Sequence, residues 1–419
     1  MTEYIEKQWR EITSRNPITD EQFSTGLKDF KFSVGQGYGF IPNLSYFRVE
    51  LELTVGGGAP VGTDEVIFAD GPVGNMFNNI YFNMGGQTVS SLTTGLGQCE
   101  VLKNRLTKSK SYNDTIGKTT GFVPHLEDRM TYAYINLNNN EVEDLNSENT
   151  KNRNRRMFIW KPSLGIFDVS TPLGSGEYDI QLNPSQDYVL SAIQTNNGIT
   201  IQVGDGANQV NVKVKNFRFY ACMVRTNLPA SGVETLHLME MSVHTVNARA
   251  GNGVEINEEV SVPSSTRALT VFLQDARAGK HSQIPPSKYG VAGDPTSALT
   301  LRNYQIQYAN MTKPTVRYDS QHTNAIDTLQ QRYINCALES GQFFNPAGFE
   351  SYEQYLERGL YLHESFVKAA DNLATRVQVV AAYDRIEEDC RMFIIAHHSS
   401  TVQITRQNGL IVDLKQMNV

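Results

Sequence analysis

The ten residues Tyr46–Val55 alternate without a break. Phe47, Val49, Leu51, Leu53 and Val55 are apolar, and Arg48, Glu50, Glu52 and Thr54 lie between them. Successive side chains on a strand point to opposite faces, so this run predicts a strand with one face buried and one face wet. Residues 210–222 form a second long alternating run. Shorter strand patterns cover 30–34, 157–160, 178–182, 188–193 and 199–203, then 235–246, 268–273, 299–308, 376–383, 391–397, 402–405 and 410–414. Two hairpins are legible. Ile80 to Val89 folds back at Gly85-Gly86, and the last two runs meet at Asn408-Gly409, a strong two-residue turn signal. Helical spacing predicts helices over 91–106, 326–338 and 352–370.

A chain of 419 residues is too long for one ordinary core. The strand series breaks once, at Pro229-Ala230-Ser231-Gly232, which reads as a linker. Each side carries many strands, a helical insertion and long loops, so the pattern predicts a duplicated β-sandwich. The expected division is an N-terminal arm (1–28), a first sandwich (29–228) and a second (229–419). In the arm, Ile5, Trp9 and Ile12 fall on one stripe of a short helix. Such a helix packs on its own domain, docks on a neighbour or lies on a membrane surface. Residues 136–154 are polar and Asn-rich, with Asn138, Asn140 and Asn149, and predict an exposed loop. Arg153, Arg155 and Arg156 close that loop as a basic cluster, and Lys103, Arg105, Lys108 and Lys110 form another. Either is a solvated surface, or meets acidic neighbours or nucleic acid.

The chemistry-bearing residues do not converge. Lys+Arg 37 against Asp+Glu 44 gives a net charge of −7, which argues against a surface devoted to gripping nucleic acid. No stretch approaches 18 consecutive apolar residues, and the first residues lack the pattern of a secretory signal. Cys99, Cys222, Cys336 and Cys390 are far apart and read as buried thiols. Gly35, Gly37 and Gly39 precede Phe40-Ile41-Pro42 rather than a helix and a phosphate-binding Lys, so they predict a turn. His397 and His398 are adjacent, and adjacent strand residues face opposite ways, which disfavours a shared metal. The acidic run Glu387-Glu388-Asp389 predicts a solvated turn. No catalytic set, metal site or cofactor site is expected, and no small-molecule substrate. The main rival to a structural protein is a two-domain β-sandwich that binds carbohydrate in adhesion, and the chain has only two Trp for an aromatic platform.

The order of features resembles a known family. Phe30 to Val34, then Gly37-Tyr38 and Leu44 to Leu51, look like its first strands. The stretch from Gly71-Pro72 through Asn75, Asn78 and Asn79 to the Gly85-Gly86 turn looks like its loop-to-hairpin segment, and the long run ending at Cys222 closes the first half as expected. The family is the double jelly-roll major capsid proteins of the polinton-like virus and virophage group, within the PRD1-adenovirus lineage. The resemblance implies an all-β fold of two tandem jelly-roll β-sandwiches with helical insertions. It implies a non-enzymatic protein of the virion, made and assembled in a host cell, that forms pseudo-hexameric homotrimers tiling an icosahedral shell. Implied partners are neighbouring trimers, penton and minor capsid proteins, and an interior genome or membrane reached through the N-terminal arm.

Overall fold

The computed structural model describes residues 6–16, 18, 23, 26–58, 66–122, 155–185, 192–194, 200–201, 209–277, 301–308, 311–314, 325–343, 349–357, 361–366 and 375–417. Strands before the linker are β1 (Lys7–Thr13), β2 (Lys28–Val34), β3 (Tyr38–Phe40), β4 (Tyr46–Val55), β5 (Val66–Phe68), β6 (Phe77–Met84), β7 (Gln87–Leu92), β8 (Arg155–Trp160), β9 (Gly176–Pro184), β10 (Ala192–Gln194), β11 (Thr200–Ile201) and β12 (Gln209–Arg225). After it come β13 (Gly232–Ala248), β14 (Gly251–Ser261), β15 (Thr266–Asp275), β16 (Leu301–Tyr308), β17 (Met311–Lys313), β18 (Leu362–Ser365), β19 (Arg376–Ile386), β20 (Cys390–Gln407) and β21 (Leu410–Met417). The longer helices are α1 (Leu96–Thr107) and α2 (Ala325–Phe343), followed by the short α3 (Tyr352–Glu357).

The two halves repeat one strand order. In the first, β1-β12-β4-β8 faces β2-β9-β6-β7; in the second, β13-β20-β15-β18 faces β14-β19-β16-β17. Each half opens with a strand that pairs with its long late strand, and α1 and α2 each follow the second hairpin strand, β7 or β17. The turns use the glycines expected of them. Gly85 and Gly86 (φ 57° and 82°) join β6 to β7, and Asn408 and Gly409 (φ 51° and 80°) join β20 to β21, as a two-residue turn with both φ positive requires.

Alternation places the cores. Phe47, Val49, Leu51 and Leu53 of β4 are buried, with Phe30 edge-on to Phe47 at 5.2 Å and Phe32 stacked on Tyr178 at 5.4 Å. The central strands β15 and β20 of the second half differ because residues 268–275 and 392–397 are buried on both faces. Leu269, Val271, Leu273, Met392, Ile394 and Ala396 enter the second core. Phe272, Phe393 and Ile395, between them in sequence, join the first. A strand buried on both faces reads as an unbroken apolar run, as 392–396 does.

Three expectations are corrected. Residues 7–13 are a strand, not a helix and not a free arm: β1 pairs antiparallel with β12 from Lys7↔Val224 to Thr13↔Arg218. It holds the place in the first sandwich that β13 holds in the second. The helix expected over 352–370 stops at Glu357, and Leu362–Ser365 is a strand on β15. All four of its residues are buried, whereas a surface helix buries one stripe. The runs 391–397 and 402–405 are one strand, β20, held along its length by β13. Ile5, Asn138, Asn140, Asn149 and Arg153 lie outside the described residues.

Candidate functional site

The alternation that buries the inward face of β4 turns Tyr46, Arg48, Glu50 and Glu52 outward. Across the sheet they meet β12 and β1 in register: Tyr46 opposes Tyr220, and Tyr220 opposes Glu11. The two tyrosine rings stack at 5.4 Å, and the Tyr220 hydroxyl donates to Glu11 Oε2 at 2.7 Å. Lys215 pairs with Glu52 at 2.8 Å. Exposed Trp9 donates its Nε1–H to the Leu44 carbonyl at 3.1 Å, and exposed Met157 receives Arg48 Nε–H. This broad flank carries aromatic rings, a thioether and paired charges. Ile12, by contrast, is buried in its own sandwich and cannot be a contact to a neighbour.

The opposite side of the first sandwich is fastened to the second by buried polar pairs. Arg105 on α1 donates Nε–H to both carboxylate oxygens of Glu350 at 2.8 and 2.9 Å, and both side chains are fully buried. The Arg105 guanidinium lies over the Tyr361 ring at 4.7 Å. Glu240 on β13 accepts from Ser90 Oγ at 2.6 Å and from the Gly165 backbone N–H. Burial pushes its pKa up to about 7, so at neutral pH it is partly protonated. Arg406 on β20 donates to the Ser175 carbonyl at 3.0 Å and pairs with Glu234. Arg105 therefore belongs to the junction, not to a basic surface with Lys103 and Lys108.

Of the cluster Arg153, Arg155 and Arg156, the last two positions lie on β8. Arg156 shares the inward face with Phe158 and Trp160, is half-buried, and has its pKa lowered by that burial. His363 and His397 both hydrogen-bond the Thr270 hydroxyl at 2.8 Å inside the second half. Among the described residues no cluster of His, Cys, Asp or Glu could hold a metal, and the four cysteines are free and buried. No described helix is long and apolar enough to cross a membrane.

No protein-family model matches the chain, and no curated protein matches it in sequence. Solved structures do match its fold. The Sputnik virophage structure aligns with a TM-score of 0.65 at 9% identity, covering 100% of this chain and 89% of that one. The mavirus major capsid protein gives 0.56 at 9% identity, covering 100% and 91%. The Faustovirus major capsid protein gives 0.57 at 8% identity, covering 96% and 90%.

The fold is a double jelly roll. The likeness spans both sandwiches, so the repeated strand order belongs to the whole double jelly roll rather than to one half. What the residues alone did not reveal is the junction. Arg105 and Glu350 are 245 positions apart, and Ser90 and Glu240 are 150 apart. Nothing local marks either member; an Arg among Lys103, Lys108 and Lys110 and a lone Glu on an alternating strand read as solvated.

Proposed function

We propose that the chain is a viral major capsid protein, a structural tile without an active site. The observation that carries this reading is that both sandwiches, in one strand order, match capsid structures over nearly the whole of each chain. The division into a first jelly roll ending near 228 and a second from 229 is part of the proposal, with β1 assigned to the first. Three copies form a homotrimer whose six similar sandwiches make a pseudo-hexagonal tile, and trimers associate into an icosahedral shell around the genome. The outer flank of β1, β12 and β4, with Trp9, is the proposed contact between copies. Its mix of aromatic rings and Arg with few unpaired charges suits an interface that stays soluble before assembly. Penton and minor capsid proteins, and a genome or membrane inside, are the remaining proposed partners. The carbohydrate-binding alternative loses support because Trp160 is buried and donates to Glu100, which leaves Trp9 as the one Trp available to a platform.

Electron microscopy of the purified, concentrated protein tests the proposal. Particles with a hexagonal outline, or closed shells, are expected. A field of single two-lobed particles at every concentration would overturn it.

A further inference from the structure

A cavity of about 190 Å³ opens where the end of α1 meets the segment after β8. Three lysines line it: Lys103 and Lys108 from the helix end, and Lys161 just past the strand. Two acids share the lining, Asp168 and Glu100. Lys103 Nζ bonds Asp168 Oδ2 at 2.5 Å. Lys161 Nζ donates to the Asn43 carbonyl at 2.9 Å, and Lys108 Nζ sits over the Tyr112 ring at 4.6 Å. A carbonyl and a ring face hold these two ammonium groups without neutralising them.

We infer that this cavity is a binding site for a phosphate-type oxyanion, taken up by an excess of ammonium groups, Lys103, Lys108 and Lys161, over the carboxyl groups of Asp168 and Glu100. Glu100 does not supply the missing charge. It is fully buried and accepts from Trp160 Nε1–H at 2.8 and 2.9 Å, and burial raises its pKa to about 8, so it is largely protonated at neutral pH. Burial lowers the pKa of Lys161 and of Lys108; Asp168 opposes this at both, at Lys161 more strongly than either neighbouring lysine acts, and the neighbouring ammonium groups add to the lowering. Like charges held around a cavity favour an anion that bridges them. Asn104, itself buried, lines the same cavity, and its Oδ1 has no partner among the described residues. Its amide donates to Asn113 Oδ1 at 3.0 Å. Turning both amides over keeps that bond and leaves an Asn104 N–H free to donate. The site does not depend on the capsid proposal. The same chemistry is offered by free phosphate and by a nucleic-acid phosphodiester.

Thermal unfolding of the full chain, titrated with inorganic phosphate at fixed ionic strength, tests this. A phosphate-specific rise in Tm of about 1–3 °C is expected near tenfold saturation. The double variant Lys108→Gln/Lys161→Gln should lose that rise, and Asp168→Asn should reach it at lower phosphate. A short oligothymidylate tested in parallel separates the sources. A rise that the lysine variant abolishes assigns the site to phosphodiesters; a response to inorganic phosphate alone assigns it to the free ion. Equal shifts with phosphate and with chloride, or an undiminished shift in the lysine variant, would overturn the inference.

Discussion

Arg105 and Glu350 put a charge pair where no water reaches it. Breaking such a pair leaves one buried charge uncompensated, at a cost of about 3–5 kcal/mol, although an apolar pair of similar volume can be nearly neutral. Glu350→Ala should therefore lower stability by that amount in urea unfolding, and an Arg105→Met/Glu350→Leu double variant should recover most of it. The buried ionisable groups also shape the response to pH. His363 and His398 titrate near 3 and 4 in the folded protein because burial disfavours their charge, and His397 is lowered for the same reason. Unfolded histidines protonate near 6.5, so the unfolded chain binds more protons below that pH and stability falls as the medium is acidified. Glu100, Glu240 and Glu364 act in reverse. Burial raises them to about 8, 7 and 8 from an ordinary 4.5, so their contribution is whole below about 4.5 and is lost as pH rises through 7–8. Between about 4.5 and 6.5 the two slopes oppose each other. Tm should be nearly flat there and decline on both sides, and Glu100→Gln should soften the alkaline decline while leaving the acid limb unchanged.

β1 separates what local pattern can say from what it cannot. Within Lys7–Thr13 only Ile12 is buried, so no alternation marks the segment, and the chance spacing of Ile5, Trp9 and Ile12 suggests a helix instead. The strand exists because β12, some two hundred residues later, offers it a full-length edge. Ile12→Ala should cost roughly 2–4 kcal/mol of stability. Trp9→Ala should change Tm little, since the ring is half exposed, and should act on association instead. If the segment were a free arm, both variants would melt like the parent. β4, β12 and both hairpins were legible because their signals are local: one wet face, or two turn residues with positive φ. β18 was hidden for the opposite reason. A four-residue strand buried throughout has no alternation to show, and it follows a helix whose apolar spacing runs on into it. The candidate contact residues were legible as types, but not as places. Only the sheet register brings Trp9, Tyr46 and Tyr220 to one flank and removes Ile12 from it.

The whole molecule is asymmetric although its halves share a strand order. β15 and the 392–397 stretch of β20 are covered on both faces, and the junction pairs lock their sheet to the first sandwich, so the two jelly rolls act as one block. The sheet containing β4 keeps its outer face open, and that flank is the proposed contact with a neighbouring copy. An obligate interface commonly buries more than about 2,000 Å², and at that size apolar contact outweighs the rim charges. Contacts between trimers should be smaller, more polar and screened by salt within about 10 Å at 0.1 M. Sedimentation across salt and protein concentration reads both levels at once. The account predicts a species of three times 46.9 kDa that persists in high salt while larger assemblies dissolve. A monomer of 46.9 kDa at micromolar protein, unchanged by concentration or salt, would contradict it.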